Sequence, residues 1–124
     1  MSRLMSVAFT EQAVRERRKT VTRRKGWWTT KTGVQMVEPG DVLTLCRKVM
    51  GRKPGEPLER ICQVEVVRVS REQLLTCCMP GEMEREGFPG MDPIEFMWRY
   101  FTDAQRIAPS DPVTRIEWRY VDVA

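Results

Sequence analysis

Residues 15–25 read RERRKTVTRRK, and both fold and function turn on how that stretch is read. It holds seven Lys or Arg against one acid, a local charge of +6 in a chain whose total is +4, so the remaining residues net −2. Basicity is thus a local feature, and a local cationic cluster points to a fixed anionic partner, nucleic acid being the commonest. In its middle, Thr20, Val21 and Thr22 place three β-branched side chains in a row, which disfavours helix and favours an extended segment. The residues before it read as a short helix, with Thr10 as N-cap, Glu11 at the positive end of the dipole, then Ala13 and Val14. Lys19 and Thr22 are therefore expected at or just past a helix-to-strand junction, where side chains can project into a cleft. Trp27 and Trp28 follow at once. Aromatic faces beside cations suit unpaired bases, which stack while their phosphates are neutralised; the same residues also suit a solvated charged face and a pair of core tryptophans.

Working outward, residues 5–9 form a short apolar run that reads as a first strand, and 26–38 lack periodicity and read as a loop. Glu38-Pro39-Gly40-Asp41 is a turn, Pro fixing one φ and Gly permitting the next, and residues 42–46 follow as a strand. A second loop, 51–57, leads to a strand over 61–69. Its apolar side chains alternate between both faces, Cys62, Val64 and Val66 against Ile61, Val67 and Val69, as expected of a central strand in a small barrel. Residues 71–78 suggest a short helix. The acidic run 82–86 is broken by Gly87-Phe88-Pro89-Gly90. Asp92 as N-cap, Pro93 at the first helical position and Glu95 three residues after the cap predict a helix from Pro93 to about Phe101. Phe96, Met97, Tyr100 and Phe101 share one stripe of it, read as core rather than as a ligand box. Residues 113–121 alternate Ile116, Trp118 and Tyr120 with Arg115, Glu117 and Arg119, a half-buried strand. Several short strands, two short helices and many turns give an α+β fold, expected to be a small barrel.

The 124 residues suit one domain spanning 1–124, with 41% hydrophobic and 31% charged residues, the balance of a soluble globular protein. No apolar run approaches the roughly 20 residues of a membrane span. The first nine residues lack the apolar centre of a signal peptide, so a cytoplasmic location is expected. Cys46, Cys62, Cys77 and Cys78 form no C-x-x-C pair and read as reduced, mostly buried thiols. Histidine is absent, which argues against a zinc site and excludes a His-dependent triad. No cofactor and no metal is expected, and any acid-base chemistry must use Lys, Glu, Asp, Tyr or Cys.

Several of these segments together resemble an ASCH domain, a branch of the PUA-like superfamily, in particular the compact single-domain ASCH proteins of bacteria and their phages. They are Arg17-Arg18-Lys19-Thr20-Val21-Thr22-Arg23-Arg24, Pro39-Gly40-Asp41-Val42-Leu43, the 61–69 strand, Glu86-Gly87-Phe88 and Thr114-Arg115-Ile116-Glu117-Trp118. The family motif, loosely G-x-K-x-x-[ET]-x-R, falls on Arg17, Lys19, Thr22 and Arg24, with Arg17 standing where glycine is usual. The resemblance implies a PUA-like β-barrel with two or three short flanking helices and a cleft beside it, a fold associated with recognition of RNA or a modified base. It also implies a second possibility, because some compact members are amidohydrolases acting on N4-acetylcytidine through a lysine, a threonine and a glutamate. Those residues would be Lys19, Thr22 and Glu86. A neutral lysine can take the threonine proton, and Arg17, Arg18, Arg23 and Arg24, as like charges, would favour the neutral form.

Two functions of different class are therefore expected to compete. In one, Arg17, Arg18, Arg23, Arg24, Trp27 and Trp28 bind RNA or a nucleobase, with an affinity that falls steeply with salt. In the other, Lys19, Thr22 and Glu86 hydrolyse an N4-acylated cytidine. A protein-interaction role in a phage or mobile element is a third, weaker alternative. The oligomeric state is not legible.

Overall fold

The computed structural model describes residues 3–121. Five strands form one mixed sheet: β1 (Arg3–Ser6), β2 (Val21–Arg24), β3 (Val42–Cys46), β4 (Arg60–Gln73) and β5 (Pro112–Tyr120) lie in the order β1-β3-β4-β5-β2. β1 runs parallel to β3, and the other pairs are antiparallel. The two edge strands approach each other as the sheet curls. The Arg24 guanidinium of β2 reaches across and donates from Nη2 to the Ser6 carbonyl of β1 at 2.6 Å, so a side chain rather than a backbone ladder links the edges of a half-barrel. Three short helices complete the α+β fold: α1 (Glu11–Arg15), α2 (Glu82–Glu86) and α3 (Pro93–Met97).

β4 is the central strand, as its two-faced apolar pattern predicts, but it is longer than expected at 14 residues. A bulge between Val66 and Arg68 shifts the register and leaves Val67 exposed at 49%, so the expected second apolar face is broken there. β5 reaches both of two cores, and the turn that follows β4 reaches the second. Met5, Val14, Leu43, Leu45, Val64, Val66, Ile116 and Trp118 pack inside the curl. Beyond it, Leu74, Met83, Phe96, Met97, Phe101 and Val113 pack beneath the helices. Period-2 alternation in β5 divides its residues between interior and surface as predicted, with Ile116 and Trp118 buried and Arg119 exposed.

Local signals set the element ends. Asp92 caps α3, its Oδ1 accepting from the Ile94 amide at 2.9 Å, and Pro93 occupies the first turn where no amide is needed. The helix then runs past the expected Phe101, through a π-helical turn, Trp98–Thr102, to Asp103–Gln105. The residue stretch 71–78 divides: its first three residues end β4, and Leu74–Cys78 form a 3-10 turn. The first strand stops at Ser6, because Ala8–Thr10 form a 3-10 turn leading straight into α1. Thr10 does stand at the N-cap of α1, yet its hydroxyl makes no cap bond. All four cysteines are free, and among the described residues no helix is long and apolar enough to cross a membrane.

Candidate functional site

The basic stretch does not form a solvated cationic face. It begins at the end of α1, where Arg17 adopts φ +58° and the Arg17 and Arg18 amides bond back to the Val14 and Ala13 carbonyls at 2.9 and 2.7 Å. This is a Schellman closure with arginine at the position glycine favours. Arg17, which stands where the resembled motif has glycine, makes this turn itself, and its guanidinium lies 5.7 Å from the centre of the Tyr120 ring, a cation–π contact that offsets part of the backbone cost. The closure aims Lys19 inward. Its carbonyl accepts from Trp118 Nε1 at 3.0 Å and from the Tyr120 hydroxyl, and Thr20 donates to the Arg85 carbonyl at 2.8 Å.

Opposite Lys19, α2 ends in the same way. Gly87 sits at φ +93°, with Gly87 and Phe88 amides bonding to Glu84 and Met83 carbonyls at 3.1 and 2.8 Å. A Cβ at this position would stand 3.0 Å from Ala13 Cβ and 3.3 Å from Lys19 Cβ. Glycine thus serves twice, permitting the left-handed turn and letting the end of α2 press against Lys19. Gly87→Ala is expected to lose about 2 kcal/mol or more, since strain and overlap coincide; an unchanged urea midpoint would contradict this reading of the turn.

The two helix ends bring Lys19 and Glu86 together, although 67 residues separate them. Lys19 is only 3% exposed and Glu86 2%; Lys19 Nζ donates to Glu86 Oε1 at 3.2 Å and to the Glu86 carbonyl at 2.6 Å. Burial pushes the Lys19 ammonium below its ordinary pKa; Glu86 opposes this, while Arg24 and Arg23 add to it. The expected lowering is therefore present, with desolvation its main cause and Arg24 and Arg23 adding to it. Arg23 is also buried, donating from Nη1 to Glu86 Oε2 at 2.8 Å and from Nη2 to Glu82. Its Nε is a buried donor with no partner among the described residues.

Glu82 was not anticipated. It is buried and gathers Arg23, Arg85 and Arg115, the last through two bonds of 2.9 and 3.1 Å. The signal was the strand register: Arg23 lies directly opposite Arg115 on β5, and like charges facing each other across strands repel. Acids are needed beside such a pair, and Glu82 supplies one to both arginines, with Glu117 adding to Arg115 and Glu72 to Arg23.

Lys19, Thr22, Arg23, Arg24, Lys25 and Glu86 line one cleft of about 240 Å³ between β2, the 3-10 turn after β1, and α3. Its other wall is aromatic, from Phe9, Phe88, Phe96, Tyr100 and Phe101. Phe9 is 81% exposed at the rim, with its ring 5.6 Å from that of Tyr100. The α3 stripe is core, as expected, yet one side of it also faces the cleft. Thr22 Oγ1 accepts from Arg24 Nε at 3.2 Å.

The structure does not bring the remaining predicted residues here. Trp27 packs on the sheet core beside Met36, and Trp28 lies in the 26–38 loop, its carbonyl bonded to the Met36 amide at 2.9 Å. Neither lines the cleft. Arg17 and Arg18 are exposed on the helix-to-strand turn, Arg18 paired with Glu16 at 2.6 Å. An aromatic wall does stand beside the cations, but it comes from residues distant in sequence rather than from the adjacent tryptophans. Among the described residues no group of His, Cys, Asp and Glu is arranged to hold a metal.

Fold and site together define a small α+β protein whose half-barrel carries a buried cation–carboxylate cluster at the floor of a half-aromatic cleft. No family model and no curated protein matches the chain, but solved structures do. A protein of Enterococcus faecalis V583 from the family DUF984 aligns over 100% of this chain and 82% of its own, at 14% identity and TM-score 0.69. An ASCH domain from Lactobacillus crispatus JV V101 aligns over 96% and 79%, at 13% identity and TM-score 0.59. The hypothetical protein PH0355 aligns over 97% of each chain, at 12% identity and TM-score 0.58. The chain therefore has the fold of an ASCH domain structure, as its sequence resemblance implied.

Proposed function

We propose that the cleft receives a single nucleobase, free or modified, as one nucleoside or as an unpaired residue of RNA. The observation that carries this is the pairing, in one small cleft, of an aromatic wall with a floor of hydrogen-bonding charges. Phe9 and Tyr100 offer ring faces for stacking, while Lys19, Arg23 and Glu86 offer donors and acceptors to a base edge. About 240 Å³ lies below the roughly 300–1,000 Å³ of pockets for drug-sized ligands, a size for one base. Tracking a polymer is less well supported, because the cations that suggested it are largely spoken for. Arg15 pairs with Glu11 and Glu59, Arg18 with Glu16, and Arg23 with Glu82 and Glu86. A steep salt dependence needs several unpaired cations on phosphates, so the salt dependence of binding is expected to be shallow. The free thiols accord with a cytoplasmic site of action.

A second reading, deacylation of N4-acetylcytidine, is favoured by one observation: Lys19, Thr22 and Glu86 share the cleft, and burial moves Lys19 toward its neutral form. The Arg24 bond to Thr22 Oγ1 would stabilise the developing alkoxide. Neutral Lys19 would take the threonine proton, and Glu86 would act on the leaving amine. On this reading activity rises with pH as Lys19 deprotonates.

One experiment addresses both. Purified protein is titrated with N4-acetylcytidine and cytidine release is followed, with Lys19→Ala and Thr22→Ala alongside. Binding weakened tenfold or more by Lys19→Ala supports the base site, and release abolished in both variants makes it an enzyme. Folded wild-type protein that binds neither this nucleoside nor single-stranded RNA would remove the proposal.

A further inference from the structure

The cleft carries a charge imbalance that a neutral base does not answer. Four cations, Lys19, Arg23, Arg24 and Lys25, line it against a single carboxylate, Glu86. Lys19 and Arg23 both spend their charge on Glu86, and Arg23 on Glu82 as well. Arg85 and Arg115, the other arginines drawn into the cluster, also bind carboxylates. Arg24 is the exception. It is partly buried, and among the described residues its guanidinium bonds to neutral oxygens, the Ser6 carbonyl and Thr22 Oγ1. No carboxylate lies within ion-pair distance of it among the described residues, and Glu86 acts on it only at longer range. Lys25, next along the chain, is exposed and without an acidic partner among the described residues. A guanidinium presents five N–H donors, so two bonds leave Arg24 with capacity for a planar, twofold contact to an oxyanion.

The geometry points to an anion subsite formed by Arg24 and Lys25 that holds the phosphate of a mononucleotide, so that the cleft's ligand is a phosphorylated nucleoside rather than the nucleoside alone. This rests on the base-binding reading above and names the ligand class for the same site. The placement suits it. The Arg24 guanidinium lies beside Thr22, its Nε 3.2 Å from Thr22 Oγ1, and Lys25, exposed and lining the same cleft, follows it in the chain. A partly buried cation lacking a counter-charge is costly to keep, and an incoming phosphate supplies that charge. Arg24 also has a structural task, closing the half-barrel onto Ser6, so Lys25 is the cleaner residue to vary.

Isothermal titration of the full chain with N4-acetylcytidine, its 5′-monophosphate and ribose 5-phosphate, at one low ionic strength, tests this. The monophosphate is expected to bind about tenfold or more tightly than the nucleoside, and Lys25→Ala to shrink that ratio. Arg24→Gln, provided that its urea midpoint stays near wild type, should shrink it further. Equal affinities for nucleoside and monophosphate would overturn the subsite and leave base binding standing. A phosphate advantage untouched by Lys25→Ala and Arg24→Gln would overturn it as well, since the anion would then sit elsewhere. Ribose 5-phosphate bound in a Lys25-dependent way, with no binding of nucleoside, would uphold the subsite and remove the base reading. Binding of none of the three would overturn both.

Discussion

Glu86→Ala is expected to cost about 3–5 kcal/mol of stability, the range for breaking a buried ion pair by removing one partner. Two buried cations depend on this carboxylate. Once the side chain is gone, Lys19 keeps the Glu86 carbonyl and the face of Trp118, and Arg23 keeps Glu82 and, at 3.6 Å, the partly exposed Glu72. A domain of this size is stable by roughly 5–15 kcal/mol, so the loss is a large share of the total and lowers the urea midpoint steeply. The partner substitution behaves differently. Lys19→Met leaves Glu86 bonded to Arg23 and removes a desolvated ammonium, so it should cost less, although the cleft loses its central donor. Combining Lys19→Met with Glu86→Leu is expected to recover part of the Glu86→Ala loss, because an apolar pair of similar volume often matches a buried ion pair. A Glu86→Ala protein within about 1 kcal/mol of wild type would show that solvent reaches the pair and screens it.

Glu82 makes the fold sensitive to acid. Burial alone would raise its pKa, but the bonds from Arg115, Arg23 and Arg85 override that and hold it down to about 2, against an ordinary 4.5. A carboxylate whose folded pKa is depressed contributes stability that is fully present above the unfolded value and is lost as pH falls through the folded one. The loss should therefore begin near pH 4.5, and be complete only near pH 2. Its size follows from the separation of the two values, about 3 kcal/mol. Glu82→Gln should lower stability at pH 7 by a similar amount and flatten the acid limb of the stability curve. Glu11 titrates in the same range, held down to about 2 by its bonds from Arg47 and Arg15, but it lies at the surface, where solvent screens the pair. The difference between wild type and Glu82→Gln therefore isolates the buried carboxylate. Parallel acid limbs for the two proteins would refute the assignment of acid sensitivity to Glu82.

The elements were legible where the signal is local. The 42–46 strand was placed to the residue, the Pro39-Gly40 turn and the Asp92-Pro93 helix start lay where expected, and Lys19 and Thr22 stand at the helix-to-strand junction. Each depends on a few consecutive residues and on backbone preferences that act within one turn or pleat. Thr10 shows the limit even there: its position at the helix start was readable, but the preceding 3-10 turn left its hydroxyl without a capping bond. The bulge that exposes Val67 is a matter of pairing between strands, and the alternation of β4 alone does not reveal it.

By itself the sequence determined that residues 15–25 must turn from helix into strand and carry Lys19, Thr22, Arg23 and Arg24 with them, because β-branching and the helix end act between neighbours. Only the tertiary structure decided what that charge is for. Lys19 and Arg23 are turned onto carboxylates 67 and 63 residues away, Trp27 is drawn onto the sheet core, and the aromatic face of the cleft comes from Phe9, Phe88 and Tyr100. The reason is physical. A charge run reads the same whether it faces solvent or a buried acid, and desolvation makes the second arrangement stable only where the chain brings an acid to meet it. In this chain α2 does so, across the whole length of β3 and β4.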